Sequence, residues 1–208
     1  MEITWIGGSC FRFRGREAAV VTDPQTSGLT QKSSFPKADL VAISVPDRGL
    51  EAENLVQANH RDGVIFVASG PGEYDVSGVY LRGLAGSKVV DGTQVPIVVY
   101  TMDIERVTVA YITRFTEEFD SVLLDELGTV QVLIVNADNN ADGVASLVSR
   151  LEPNIVVPFG TGSNGRIGWF DVARDLSEVE LMAEASLNIS ASELPEPVTT
   201  RVLSQRVT

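Results

Sequence analysis

The stretch VAISVPDRGLEAEN, residues 41–54, runs from an apolar strand through a turn into an acidic segment. Many enzymes pack metal-binding residues at such a junction, yet this one holds no histidine. A second candidate, NADNNADG (136–143), spaces carboxylates and amides like the start of a calcium loop. The twelfth position counted from Asp138 is Ser149, where such a loop needs a bidentate Glu, and the residues that follow read as a helix. IGGSC (6–10) is Gly-rich but lacks the spacing of a phosphate cradle, and reads as a hairpin turn. Cys10, beside Ser9, would be a nucleophile only with a base placed against it, so a buried structural thiol is expected. The sole histidine, His60, lies in the polar turn QANHRDG and reads as a solvent-facing residue at a helix C-terminus. One histidine cannot build a usual zinc site. GTGSNGRIG (160–168) follows a strand end, where ligand loops often lie, and reads as a surface turn.

These residues must be positioned by a chain of 208 residues, 44% hydrophobic, enough for one full-sized core. The net charge of -12 argues against nucleic acid, which needs clustered Lys and Arg, and disfavours a polyanionic substrate. A single cysteine allows no internal disulfide. The opening MEITWIGGSC has no basic and apolar signal pattern, and no apolar run approaches the roughly 20 residues a membrane span needs. A cytoplasmic protein, with neither nucleic acid nor membrane as partner, is expected.

The first half reads as short strands at 2–6, 10–14 and 18–22, punctuated by Gly7-Gly8 and Gly15-Arg16. DLVAIS (39–44) and VIFVA (64–68) read as strands covered on both faces, with a short helix at 49–58 between them. GPGEYDVSGVYLRGL (70–84) alternates after a turn, and PIVVYTMDI with RVTVAYIT predicts a hairpin around Glu105. A helix over 116–128 is capped by Thr116 and stopped by Gly128. Strand 130–136, helix 140–151 and strand 154–159 then imply a parallel βαβ unit. A last helix near 169–176 and a strand near 180–189 complete a single domain over 1–190, with a loosely held polar tail at 191–208. Hairpin-linked opening strands favour an α+β, four-layer αββα sandwich over a doubly wound sheet.

MEITWIGGSCFRFRGREAAVVTDP closely resembles the opening of metallo-β-lactamase-fold hydrolases, in the branch of ascorbate-6-phosphate lactonase. That branch opens with a strand, a G-H-S motif, a hairpin, and a strand ending in Asp-Pro. GPGEYDVSGVYLRGL resembles its middle strand pair, and GTVQVLIVNADNN with LEPNIVVPFG its later βαβ section, so the likeness spans residues 1–175. The resemblance implies bound metal that lowers the pKa of water. The ligands come from H-x-H-x-D-H, a further His, an Asp and a final His. Here the first motif falls on Val45 to Leu50, the middle His at Lys88, the Asp at Arg114, the final His at Gly160, and the His of G-H-S at Gly8.

The resemblance therefore implies a protein with no catalytic residues, no metal and no cofactor. Its residual cleft comprises Asp23, Asp47, Lys88, Arg114 and Gly160, with the Arg114 guanidinium meeting Asp23 and Asp47 in place of the lost cation. The leading reading is a catalytically inactive binding or interaction module, a homo-oligomer and most simply a dimer, with a protein partner possible. The alternatives are a hydrolase holding magnesium or manganese on carboxylates, and a structural subunit paired with an active relative.

Overall fold

The computed structural model describes residues 1–24, 35–46, 52–60, 63–90, 92–113, 121–138, 141–160 and 178–204; the side chains of residues 53 and 88–90 also lie outside that description. The chain opens with β1 (Glu2–Gly7), β2 (Cys10–Arg14) and β3 (Ala19–Thr22), then β4 (Lys37–Ala38), β5 (Leu40–Ala42), β6 (Gln57–Ala58) and β7 (Phe66–Ala68). It continues through β8 (Gly72–Val76), β9 (Val79–Val90), β10 (Thr93–Ile104) and β11 (Val107–Ile112). Then come α1 (Ser121–Leu127), β12 (Val132–Asn136), α2 (Ala141–Leu151), β13 (Ile155–Phe159), β14 (Glu178–Leu181), β15 (Ser186–Asn188) and β16 (Thr199–Val202).

Among the described residues two large sheets result, six strands in the order β15-β1-β2-β3-β5-β7 and eight in the order β14-β16-β13-β12-β11-β10-β9-β8, beside a two-stranded ribbon, β4-β6. The opening hairpins lie in the first sheet and the βαβ unit β12-α2-β13 in the second, with β11, β12 and β13 parallel. The inner faces meet in one core. Trp5, Phe11 and Phe13 project from the first sheet against Tyr111 and Phe159 from the second, and the Phe11 and Phe159 rings lie edge-on at 5.1 Å. Period-two alternation produces this: Val107, Val109 and Tyr111 point inward, while Ala110 and Ile112 point outward under the helices.

The outer face of the second sheet is covered by α1 and α2, through Leu123, Leu124, Leu127, Val144, Leu147 and Val148. Gly128, at φ +68°, ends α1 as its position suggests. The αββα sandwich expected from the hairpin-linked strands is the observed fold. Among the described residues, the first sheet is covered by a 3-10 turn (Ala52–Leu55) and the β4–β6 ribbon, which bury Ala38, Ala52 and Val56 beside Cys10 and Val41. The helix expected near 169–176 lies outside the described residues.

Three local expectations are corrected. The helix expected at 49–58 is, where described, one 3-10 turn followed by a strand. Gln57 donates its N–H to the Pro36 carbonyl (2.9 Å) and draws the chain into the β4–β6 ribbon, a tertiary pairing that outweighs local propensity. The single strand near 180–189 is two, β14 in the second sheet and β15 in the first. Over residues 191–204 the polar stretch is not loose: β16 lies between β13 and β14, and Val202 and Leu203 are buried. Prolines at 195 and 197 obscured a strand whose own residues are TTRV.

The β9–β10 hairpin is longer than its neighbours. β8 pairs with β9 only from Val79 to Gly83, and β11 pairs with β10 only from Tyr100 to Ile104. Residues 84–90 and 93–99 thus form a two-stranded arm extending past the C-terminal end of β11. Among the described residues, no helix is long and apolar enough to cross a membrane.

Candidate functional site

The C-terminal ends of the parallel strands β3 and β5 in one sheet, and β11, β12 and β13 in the other, meet at one end of the sandwich. Asp23 follows β3 directly, with a left-handed φ of +37° that aspartate tolerates better than most residues. Its Oδ1 accepts the Ser44 N–H at 2.8 Å and its Oδ2 the Ser44 hydroxyl at 2.6 Å. From the opposite sheet, the Tyr111 hydroxyl lies 2.7 Å from Asp23 Oδ2 and 2.5 Å from the Ser9 carbonyl, so one phenolic proton serves two acceptors. The Thr113 hydroxyl donates to the Ser44 hydroxyl at 2.8 Å, and Val98 donates its N–H to the Ser44 carbonyl at 2.8 Å. Ser44 and Thr113 are buried.

The result is a polar clasp joining the two sheets. Such a network is strong when every donor is used, because the surrounding dielectric is low. Burial, and then the negative charge of Asp23, pushes the Tyr111 hydroxyl well above its ordinary pKa. Tyr100 is raised likewise by burial, its hydroxyl donating towards the carbonyls of Ile43 (3.0 Å) and Ala68 (2.9 Å). Both phenols therefore stay neutral donors near pH 7.

The positions that the resemblance makes histidines are shaped for something else. Gly8 sits at φ +53°, a left-handed conformation costing a residue with a Cβ about 1–2 kcal/mol. Gly160 follows β13 with its side-chain space already taken: a Cβ there would lie 2.3 Å from Asp138 Oδ1 and 3.0 Å from its Cγ. Asp138 is held at the end of β12, its N–H donated to Asn136 Oδ1 at 2.7 Å. Asp138 has thus moved into the volume a larger residue at 160 would need.

His60 is at the other end of the first sheet. Its Nε2 lies 3.6 Å from Asp39 Oδ1, and Asp39 precedes β5 whereas Ser44 follows it. Asp39 is buried, and its Oδ2 accepts the Ala19 N–H (2.8 Å) and the Asn59 amide (2.9 Å). The helix C-terminus expected for His60 is absent; the residue follows β6 and partners a buried carboxylate. Cys10 is buried among apolar side chains, as a structural thiol should be.

Of the expected cleft residues, Asp23 and Gly160 lie at the strand ends just described. Lys88 is on the arm, opposite Val95. Asp47 and Arg114, and with them the expected pairing of Arg114 to the aspartates, fall outside the described residues. Sequence reasoning missed Tyr111, Ser44 and Thr113, and weighed Asp138 only as the start of a calcium loop. The available signal was a tyrosine and a threonine at inward-facing positions of VTVAYIT, which need partners once buried.

Two facing mixed sheets, with the parallel strands ending together at one end, define a metallo-β-lactamase-type sandwich. A family model described as a beta-lactamase superfamily domain matches residues 2–160, and the chain belongs to that family. A Thermotoga maritima structure, described as a Zn-dependent hydrolase of the metallo-β-lactamase superfamily, superposes with a TM-score of 0.75 at 20% identity, covering 99% of each chain. One from Parabacteroides distasonis, described as a metal-dependent hydrolase, gives 0.65 at 13% identity, covering 98% of this chain and 93% of that one. The metallo-β-lactamase fold protein YhfI from Bacillus subtilis gives 0.59 at 10%, covering 98% and 97%. At these identities the likeness carries the fold alone. No curated protein matches the chain.

The residues present do not fit the zinc such folds hold. The one histidine pairs with Asp39 away from the strand ends. Among the described residues, no group of three or more His, Cys, Asp or Glu side chains converges as a metal site. Asp23 accepts hydrogen bonds from Ser44 and Tyr111, donors that come from both sheets.

Proposed function

We propose that this chain is a metal-free member of its family without hydrolytic activity, working in the cytoplasm as a binding module whose first partner is another copy of itself. The observation carrying this reading is the filled site: Asp138 occupies the side-chain space at Gly160, and the Asp23–Ser44–Thr113–Tyr111 clasp closes the sheet ends. Zinc needs imidazole or thiolate ligands there; His60, the sole histidine, pairs with Asp39 at the other end of the first sheet, and Cys10 is a lone thiol buried among apolar side chains. Activity belongs to a site and not to a fold, so kinship with hydrolases does not supply the chemistry.

Elemental analysis of the purified protein tests the first half: zinc, iron and manganese should each fall far below one per chain. Close to one metal per chain would overturn it. Turnover of a generic ester or phosphodiester that a chelator abolishes and manganese restores would overturn the inactivity and favour a carboxylate-held hard metal.

A further inference from the structure

β8 is the last described strand of the second sheet, and the turn that follows it decides what its free edge presents. Ser77 and Gly78, at φ +51° and +81°, form a two-residue hairpin turn between the opposed residues Val76 and Val79. Residues flanking such a turn exchange both backbone hydrogen bonds, and bonded and outward-pointing pairs then alternate along the ladder. Asp75 opposite Tyr80 and Glu73 opposite Arg82 are therefore outward-pointing pairs. On β8, the N–H and C=O groups of Glu73 and Asp75 face the open edge, where no described strand meets them. Neither proline nor a bulge, the usual means of closing an edge, interrupts GEYDV.

The same two residues carry exposed carboxylates on the outer face of the sheet. Asp75, Tyr80 and Asp103 lie side by side across three strands, so a third carboxylate flanks the exposed ring of Tyr80, whose hydroxyl donates to Glu73. No cation answers this charge. Arg82, opposite Glu73, turns its guanidinium to the carbonyls of Glu126 and Leu127 at the end of α1. Among the described residues, no ion pair includes Glu73, Asp75 or Asp103. The other edges of the two large sheets differ: β7 and β15 carry no charge, and Glu180 on β14 is paired with Arg201 at 3.0 Å. Between the carboxylates, Tyr74 turns to the inner face, where Phe66 of β7 lies 5.7 Å from it and stays partly exposed.

We infer that the β8 edge takes up, as a further antiparallel strand, an extended segment of another protein in which Lys or Arg alternates with apolar residues. In that pairing the residues opposite Glu73 and Asp75 exchange both backbone hydrogen bonds with them. Their side chains fall on the same face, so cations there meet the carboxylates and the ring of Tyr80. The residue between them faces inward, toward Tyr74 and Phe66. Backbone pairing supplies affinity, and the two faces select the sequence. A second copy is barred from this edge, because its own Glu73 and Asp75 would set carboxylate against carboxylate. The surface is thus distinct from the one self-association needs, and it stands whether or not the chain pairs with itself.

Fluorescence anisotropy of a short labelled peptide alternating Lys and Val, titrated with the full chain, tests it. Saturable binding that weakens as salt is raised is expected. The same peptide N-methylated at its lysines keeps every charge but loses the N–H groups that bond to Glu73 and Asp75, and should bind about tenfold more weakly or worse. A peptide with the lysines and valines in separate blocks should be weakened likewise. Glu73→Lys with Asp75→Lys should abolish binding with far-UV circular dichroism unchanged; Glu73→Gln with Asp75→Asn, a milder pair, serves if the reversal unfolds the chain. Glu184→Lys with Glu193→Lys, the same charge change on exposed residues elsewhere, should leave binding in place. No binding of the alternating peptide up to about 1 mM overturns the proposal. Equal binding of the N-methylated or block peptide overturns strand addition, and binding unchanged by the edge variants overturns the β8 surface. Sedimentation velocity reads self-association separately: a monomer removes the second copy as a partner, while peptide binding by that monomer is still expected.

Discussion

Replacing Gly160 with alanine isolates the steric relation between β13 and the loop after β12. Gly160 does not have a left-handed φ, so alanine faces no backbone penalty. At a compatible position the change should stabilise by about 0.4–1 kcal/mol, through the unfolded chain's lost freedom. Here the new Cβ would sit 2.3 Å from Asp138 Oδ1, far inside contact distance. Forcing a packed group aside costs about 1–3 kcal/mol. The Asp138 backbone is pinned to Asn136 at 2.7 Å, so its carboxylate must turn away. The balance is a net loss of about 0.5–2 kcal/mol for Gly160→Ala. In an Asp138→Ala background the obstruction is gone, and the same change should be neutral or stabilising. Urea unfolding of the wild type, both single variants and the double variant gives a cycle whose coupling should reach about 1–3 kcal/mol. Gly160→Ala as stable as wild type, or coupling below about 0.5 kcal/mol, would refute the claim that Asp138 owns this space.

Tyr111→Phe removes a buried hydroxyl that joins the sheets, and should lower stability by about 1–3 kcal/mol in thermal or urea unfolding. The pH dependence has a definite sign. Both phenols are raised in the folded state above the ordinary value of 10.0, so their contribution is complete below pH 10 and is lost as pH rises further. Stability should fall above pH 10 by about 1.4 kcal/mol per unit for each tyrosine, and Tyr111→Phe should remove one share of that slope. Arg106→Gly should stabilise by about 1 kcal/mol, because the β10–β11 turn sets Glu105 and Arg106 at φ +52° and +68°, where glycine is the preferred second residue; a lowered urea midpoint would contradict this. Phe159→Ala should cost about 3–5 kcal/mol by emptying the contact between Phe11 and Tyr111, again read by urea unfolding.

Period-two alternation and punctuating glycines made the opening hairpins, the β10–β11 hairpin and the βαβ unit legible, because their pattern is local. The ribbon at 57–58 and β16 were not legible, since each depends on a partner distant in sequence: β4 in one case, β13 and β14 in the other. The site divided in the same way. The missing histidines can be read directly from the chain. What occupies their place cannot, because Asp138 meets Gly160 only after β12 and β13 pair, and Tyr111 meets Asp23 only after the two sheets face each other. Polar residues at inward positions were the signal that partners must exist, without saying which.

The order of strands in the second sheet has a consequence for synthesis. β14 joins that sheet only through β16, which is made about twenty residues later and must enter between β13 and β14. While the ribosome still holds residues 199–202, β13 presents a bare edge and β14 has nowhere to dock. The nascent chain is therefore open to mispairing along β13, a strand of five buried residues, for as long as that interval lasts.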